Sequence, residues 1–255
     1  MTLRVAVTGA TGKMGQFALR LIDEASDLEL HAALNSSSSL DALLGADVIF
    51  DVTRLEASEA IVEFAVANDL PIVVGTSGWS AERIARIETF RDGNTSRSAV
   101  VVVPNFSLGS VLGSALSAVA ARYFSSIEIV ETHGATKIDS PSGTAVRTAE
   151  LIAAARATAG LAPVEPPHAD QVARGQVVGG VPVHSLRLQG VAAEQRVTFG
   201  APGETLRIEH VTVSQAAYEP GILHALRFAV ASTGTTVGLD RVIGLDFAAA
   251  SAPTA

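Results

Sequence analysis

Arg4-Val5-Ala6-Val7-Thr8 runs without a break into Gly9-Ala10-Thr11-Gly12-Lys13-Met14-Gly15, and from there into a helical pattern that lasts to about Ala25. A short apolar strand, a glycine-rich turn and a helix, in that order, open a nucleotide-binding α/β domain. The glycines let backbone N–H groups approach a pyrophosphate at the helix N-terminus. Glycines at 9, 12 and 15 form a variant of the dinucleotide fingerprint with two residues between each pair. Such turns also arise for plain geometric reasons. This one gains weight because it follows the first strand of an alternating pattern.

Working outward, Leu28–Leu34, Asp47–Thr53, Pro71–Thr76 and Ala99–Val103 read as further strands, with helical patterns at Ala57–Asn68 and Ala81–Phe90. Strands alternating with helices predict an α/β fold with a Rossmann-like, doubly wound parallel sheet. After Pro104-Asn105-Phe106 the pattern changes. A small-residue helix over Leu108–Phe124 precedes an alternating strand at Ile127–Glu131, a helix at Thr144–Ala157, and strands at Val181–Gln189, Gln195–Phe199 and Thr205–Val213. Short turns such as Ala201-Pro202-Gly203 imply antiparallel neighbours, so a second α+β domain with an open mixed sheet, one face covered by helices, is expected. Gly160–Gly180 reads as a long loop, and Pro220–Ser232 as a helix returning to the first domain. The expected division is 1–106 with 217–255 for dinucleotide binding, and 107–216 for substrate binding and oligomerisation. Ser36–Ser39 reads as a mobile loop and the alanine-rich tail as a frayed end.

The 255 residues carry a net charge of −8, with no basic run and no basic–aromatic interleaving that would track a phosphate backbone, so nucleic acid is not an expected partner. The chain has no cysteine, which removes disulfides, thiolate metal sites and a cysteine nucleophile. No metal is expected. The N-terminus lacks the basic flank and apolar core of a signal, and no apolar run reaches membrane-spanning length, so the reading is a soluble, cytoplasmic protein without a membrane partner.

A non-phosphorylated dinucleotide calls for an acid at the end of the second strand, which accepts the ribose hydroxyls and repels a 2′-phosphate. Here that strand ends in Asn35, followed by Ser36 and three more serines, with Lys13 close by in the glycine loop. The cofactor expected is therefore NADPH, with NADH possible.

The second chemical centre is Glu131 to Ala145, E-T-H-G-A-T-K-I-D-S-P-S-G-T-A. His133 and Lys137 are placed in a loop at the end of the strand. Ser140-Pro141-Ser142 signals a helix start, and Gly143 and Thr144 leave N–H groups to hold a carboxylate. A lone histidine or lysine is usually structural or merely solvated. Facing an anion seat, the pair reads as acid–base machinery.

These motifs resemble, over essentially the whole length, the bacterial 4-hydroxy-tetrahydrodipicolinate (dihydrodipicolinate) reductase family. Gly9–Gly15 is similar to its G-x-x-G-[RK]-M-G loop, and Gly75-Thr76-Ser77-Gly78 to its G-T-T-G turn beside the nicotinamide. Pro104-Asn105-Phe106-Ser107 resembles its hinge, and Glu131–Ala145 its signature E-x-H-H-x-x-K-x-D-A-P-S-G-T-A. Arg174-Gly175, Gly180 with His184, and Gly203-Glu204-Thr205-Leu206 also look like family elements. The resemblance implies an NAD(P)H-dependent oxidoreductase acting on a cyclic dicarboxylate in lysine and diaminopimelate biosynthesis, usually as a homotetramer. It places cofactor at Gly9, Ala10, Thr11, Gly12, Lys13, Met14, Asn35, Ser36, Gly75, Thr76, Ser77, Val103, Pro104, Asn105 and Phe106. It places acid–base roles on His133 and Lys137, and substrate contacts on Gly134, Lys137, Gly143 and Thr144. Two positions depart from the pattern: Gly134 stands where the family has its second histidine, and Ser140 where alanine is usual. At the level of sequence this leaves open an authentic reductase, a paralogue reducing a related cyclic imine, and a non-catalytic NADP(H)-binding sensor.

Overall fold

The computed structural model describes residues 2–245. In chain order the elements are β1 (Leu3–Thr8), α1 (Lys13–Glu24), β2 (Leu28–Leu34), β3 (Val48–Asp51), α2 (Leu55–Ala67), β4 (Ile72–Val74), α3 (Ala81–Gly93) and β5 (Ala99–Val102). They continue with α4 (Leu108–Ala120), β6 (Ser126–Gly134), α5 (Gly143–Thr158), β7 (Gln176–Val178), β8 (Val181–Leu188), β9 (Ala193–Ala201) and β10 (Glu204–Thr212). The chain closes with α6 (Glu219–Ala231), β11 (Gly234–Val237) and α7 (Leu239–Val242). Two compact units result, one reaching to Phe106 and resuming over Tyr218–Leu245, the other Ser107–Ala217.

The first unit is built on a six-stranded sheet of order β11-β5-β4-β3-β1-β2, with every adjacent pair parallel. Its central strands, Val48-Ile49-Phe50, Ile72-Val73-Val74 and Val100-Val101-Val102, are continuous apolar runs and are buried throughout. A parallel sheet covered on both faces requires such runs. Ala6, Ile49, Ile72, Val74, Val100 and Val102 pack with Ile61, Val62 and Val66 of α2 and Ile87 of α3. The chain leaves β1 for β2 on one side and returns to β3 on the other, so the sheet has its switch point at the carboxyl ends of β1 and β3.

In the second unit the order is β10-β9-β6-β8-β7. The β6–β8 pair is parallel, spanned by the α5 crossover, and the other pairs are antiparallel. Alternation divides the sheet. Ile127, Ile129, Val183, Val197 and Phe199 pack against Ala145, Ala149 and Ile152 of α5. The opposite face carries Leu186 and Leu188, both about half exposed.

Several expectations are corrected. The helix placed over 108–124 stops at Ala120, because the buried Arg156 guanidinium takes the carbonyls of Ala121 (2.8 Å) and Phe124 (2.7 Å), which a continuing helix would need for itself. The strand placed over 127–131 runs on to Gly134, since β8 and β9 both pair with it through His133. His133 is therefore a strand residue and not a loop residue. The stretch 160–180 holds a 3₁₀ turn (Val172–Arg174) and β7, tied in by the Arg174–Glu128 ion pair. Ser36–Ser39 is a hydrogen-bonded turn: Asn35 Oδ1 accepts from the Ser37 N–H (2.9 Å) and hydroxyl (2.7 Å), and Ser39 Oγ caps a 3₁₀ turn at Asp41 N. β11 and α7 break the expectation, since Gly-Thr-Thr-Val is too short and too polar to announce a strand. The alanine-rich tail lies outside the described residues.

Candidate active site

In the first unit every expected cofactor segment ends on the carboxyl side of a strand. Gly9–Met14 follows β1, Asn35–Ser36 follows β2, Gly75–Ser77 follows β4 and Val103–Phe106 follows β5. The glycine loop is dictated by close approach. Gly9 has φ +78°, and a Cβ there would stand 2.6 Å from Val52 O. A Cβ on Gly15 would stand 2.2 Å from Gly9 O. Only glycine lets the loop fold back so tightly beneath the helix. Gly12 caps α1 without a side-chain bond, and no acidic residue stands in its first turn. The first-turn N–H groups, together with Lys13, are thus a donor set that fits the diphosphate of a dinucleotide.

Two of these segments, those after β1 and β4, share an anchor that the sequence reading missed. The carboxylate of Asp51, fully buried at the end of β3, accepts hydrogen bonds from Thr8 Oγ1 (2.8 Å), Thr53 Oγ1 (2.7 Å), Thr76 Oγ1 (2.8 Å) and Ser58 Oγ. Thr8 leads into the glycine loop, and Thr76 sits in the turn after β4. Ser58, on α2, is in turn met by Trp79 Nε1 at 3.2 Å. One carboxylate therefore sets the relative height of the loops after β1, β3 and β4. The Thr76 hydroxyl is committed to Asp51, which leaves the backbone of the turn to face a ligand. The Phe106 ring lies in the core, edge-on to Phe50 at 5.6 Å, and a Cβ on Gly75 would come 2.8 Å from it. Phe106 supports the Gly75 turn from below.

In the second unit, His133 and Glu131 are two residues apart on β6 and therefore share a face. Glu131 is fully buried, and its Oε2 lies 2.5 Å from His133 Nδ1. Arg187, in register with His133 on β8, forks onto the same carboxylate, Nη1 to Oε2 at 3.0 Å and Nη2 to Oε1 at 2.9 Å. The Ser142 N–H adds a fourth contact at 3.2 Å to Oε1. Burial works to raise the Glu131 carboxyl, but Arg187 first, then the Ser185 hydroxyl and His133, override it and hold the group below the ordinary carboxylate range. An acceptor-only carboxylate requires the proton on Nδ1, which leaves Nε2 of His133 for acid–base work.

Lys137 lies in the turn that follows, its N–H bonded to Gly134 O at 3.0 Å. Its ammonium pairs with Asp139 Oδ1 at 2.7 Å, and this contact with Lys137 is the main reason the Asp139 carboxyl is held low. Ser142 caps α5, accepting from Ala145 N at 3.3 Å. A Cβ on Gly143 would meet nothing within 4 Å, so protein packing does not demand glycine there. β6, the turn and the start of α5 thus bring His133, Gly134, Lys137, Gly143 and Thr144 onto one continuous segment. Glu131, Arg187 and Asp139 went unassigned in the sequence reading. The spacing of Glu131 and His133 along a strand was the available signal for the first. Nothing short of the β6–β8 register indicates the second. Among the described residues, no three His, Asp or Glu side chains stand close enough to share a metal ion.

A doubly wound sheet with an uncapped glycine-loop helix, joined in one chain to a mixed-sheet unit carrying a carboxylate-held histidine and a lysine, defines a nicotinamide-dependent oxidoreductase. The family model described as dihydrodipicolinate reductase, N-terminus, matches residues 3–106, and that described as dihydrodipicolinate reductase, C-terminus, matches residues 109–243. The chain belongs to the dihydrodipicolinate reductase family. It is 53 % identical over 246 residues to 4-hydroxy-tetrahydrodipicolinate reductase of Clavibacter sepedonicus, covering 96 % of this chain and 88 % of that one. It is 44 % identical over 250 residues to the enzyme of the same name from Streptomyces griseus subsp. griseus, covering 96 % and 99 %. Among solved structures, dipicolinate-bound dihydrodipicolinate reductase from Paenisporosarcina sp. TG-14 superposes with a TM-score of 0.79 at 28 % identity, covering 94 % of this chain and 99 % of that one. A match across both halves favours neither the paralogue nor the sensor among the readings left open by the sequence. No helix among the described residues is long and apolar enough to cross a membrane.

Proposed function

We propose that the chain reduces 4-hydroxy-tetrahydrodipicolinate to tetrahydrodipicolinate, with loss of water, as a step of lysine and diaminopimelate biosynthesis. The observation that carries this reading is the β6–α5 segment, where His133, Lys137 and the Gly143–Thr144 helix start stand together in a chain matched by the family over both units. The solved relative from Paenisporosarcina binds dipicolinate, itself a ring with two carboxylates. A doubly anionic ring suits a helix N-terminus and an ammonium.

The cofactor supplies a hydride. The chain's own residues bind, orient and move protons. Gly9, Ala10, Thr11 and Gly12, with the N–H groups of Lys13 and Met14, hold the diphosphate. Asn35 and Ser36 receive the ribose, and the absence of an acid there admits a 2′-phosphate, so NADPH binds at least as well as NADH. Gly75-Thr76-Ser77 and Val103-Pro104-Asn105-Phe106 border the nicotinamide. Gly143 and Thr144 seat a substrate carboxylate, with Gly134 beside it. Lys137 donates the proton that balances the hydride, released from Asp139 as substrate arrives, while His133 orients or protonates the leaving hydroxyl.

The uncovered sheet face with Leu186, Leu188 and Val211 supports self-assembly, and a homotetramer is the assembly proposed. A biosynthetic role of this kind belongs in the cytoplasm. The test is NADPH oxidation with freshly generated substrate. Lys137→Ala should lower turnover by about 10²-fold or more, the usual scale for a positioned proton donor. Full activity in that variant removes Lys137 from the mechanism, and no turnover in the wild type removes the function.

A further inference from the structure

The Glu131 carboxylate does more than hold a histidine. It is fully buried and receives four groups from three elements: His133 Nδ1 on its own strand, both arms of Arg187 on β8, and the N–H of Ser142 at the cap of α5. Arg187 reaches further, because its Nη2 also donates to the carbonyl of Asp139 at 2.6 Å, in the middle of the loop that carries Lys137. The ion pair therefore touches each part of the acid–base segment, although Arg187 itself has no expected contact with substrate.

We propose that Arg187 is a positioning residue of the reductase: acting through Glu131, it fixes the Nδ1–H tautomer of His133 and holds the 137–142 loop against the start of α5. The proposal rests on the reading of His133 and Lys137 as the acid–base pair.

The physical argument has two parts. A planar guanidinium bound to both carboxylate oxygens fixes the plane of the carboxylate as well as its charge, and hence the direction from which His133 must approach. The second part is electrostatic. A buried carboxylate facing a histidine strongly favours imidazolium unless its charge is already met, and Arg187 meets it. The groups facing the His133–Glu131 pair are few. β8 presents Arg187 and the uncharged Ser185, the loop after β6 presents Lys137 with Asp139, β9 presents the uncharged Gln195 and Ala193 in register, and α5 presents its N-terminus. None of these replaces the charge of Arg187 on the carboxylate.

The experiment compares wild type with Arg187→Met, Arg187→Lys and Glu131→Gln by kcat and KM across pH, by NADPH binding, and by the ¹⁵N resonances of His133. NADPH affinity within about two-fold of wild type shows that the first unit is intact, and an unchanged far-ultraviolet circular dichroism spectrum with a single cooperative urea transition shows the same for the second, which separates lost positioning from lost fold. Without Arg187 the histidine limb of the kcat profile should move up by about one pH unit, because the carboxylate is then met by the imidazolium alone. With Glu131→Gln it should move down, and the ¹⁵N spectrum should show both tautomers. Turnover should fall by about ten-fold or more in Arg187→Met, less in Arg187→Lys, with KM for the dicarboxylate moving less than kcat. Should Arg187→Met fail to fold, Arg187→Lys decides, since it keeps the charge and loses the fork. Unmoved limbs and an unchanged His133 tautomer in the folded variants would overturn the proposal and leave Arg187 a structural residue. The ¹⁵N measurement needs no turnover, so it tests the clamp even if the assigned reaction is wrong.

Discussion

Replacing Asp51 tests whether one carboxylate sets the cofactor loops. In Asp51→Ala, the hydroxyls of Thr8 and Thr76, 2 % and 6 % exposed, lose the acceptor they now bond at 2.8 Å. Thr53 Oγ1 has a second acceptor in Arg54 O at 3.3 Å, whereas Ser58, fully buried, is left with only a donor, Trp79 Nε1, and its own hydroxyl proton is orphaned as well. Three orphaned hydroxyls at about 1–3 kcal/mol each give a loss of about 3–9 kcal/mol, a large part of the roughly 5–15 kcal/mol that holds a typical domain. Asp51→Asn keeps one oxygen and the shape, and hydroxyls can rotate to accept from the new amide, so its cost should be about 1–2 kcal/mol. Urea unfolding gives both numbers. NADPH titration supplies the functional half, where affinity should fall in the same order, Ala more than Asn, because the loops after β1 and β4 lose their shared reference. An alanine variant within about 1 kcal/mol of wild type, or an asparagine variant worse than alanine, refutes the reasoning, since in either case the hydroxyls are not relying on the carboxylate.

What could be read before the coordinates, and what could not, follows the range of the interactions. The glycine loop, the buried strands and the Ser142 cap are local: each is written in a few adjacent residues, and each lies within a few positions of where its signal put it. The errors fall where a distant residue decides. α4 stops early because Arg156, 35 positions beyond Ala121, takes the Ala121 and Phe124 carbonyls just past its end. β6 continues through His133 because β8 supplies pairing from more than fifty residues away. For the same reason His133 and Lys137 were legible as types, while the Arg187 fork on Glu131 was not. A strand period of two could have joined Glu131 to His133. The four hydroxyls on Asp51 come from β1, the loop after β3, the first turns of α2 and the turn after β4, a convergence only the sheet order reveals.

Asn35→Asp should shift the NADPH/NADH affinity ratio towards NADH, since a carboxylate repels a 2′-phosphate, and equilibrium binding of both nucleotides checks it; an unchanged ratio takes Asn35 out of the ribose site. His210 is held low by burial, 3.2 Å from Ser107 Oγ. Its folded form therefore resists the proton that the unfolded chain accepts, so stability should decline as pH falls below about 6.5, and His210→Gln should flatten that slope in urea midpoints taken between pH 5 and 8. Glu131 acts in the same direction from a different cause: a carboxyl held low by its partners contributes stability that is present above about pH 4.5 and lost as pH falls through its lower folded value, a loss that Glu131→Gln should remove. Gly134 carries the last prediction. The family's second histidine is absent here, and on the substrate seat proposed above a carboxylate would be short of one charged partner, worth about 1.5–3 kcal/mol, or roughly ten-fold or more in KM. Gly134→His restores the group at a cost the structure sets, because a Cβ at this position stands 3.3 Å from Val191 O and the turn after β8 must give by a few tenths of an ångström. Steady-state kinetics should then show KM for the dicarboxylate falling by up to about ten-fold with kcat moving less, since the new group touches ground state and transition state alike. A folded Gly134→His variant with no activity would mean that the space beside His133 is already used by the substrate, and that the carboxylate is held entirely from the α5 side.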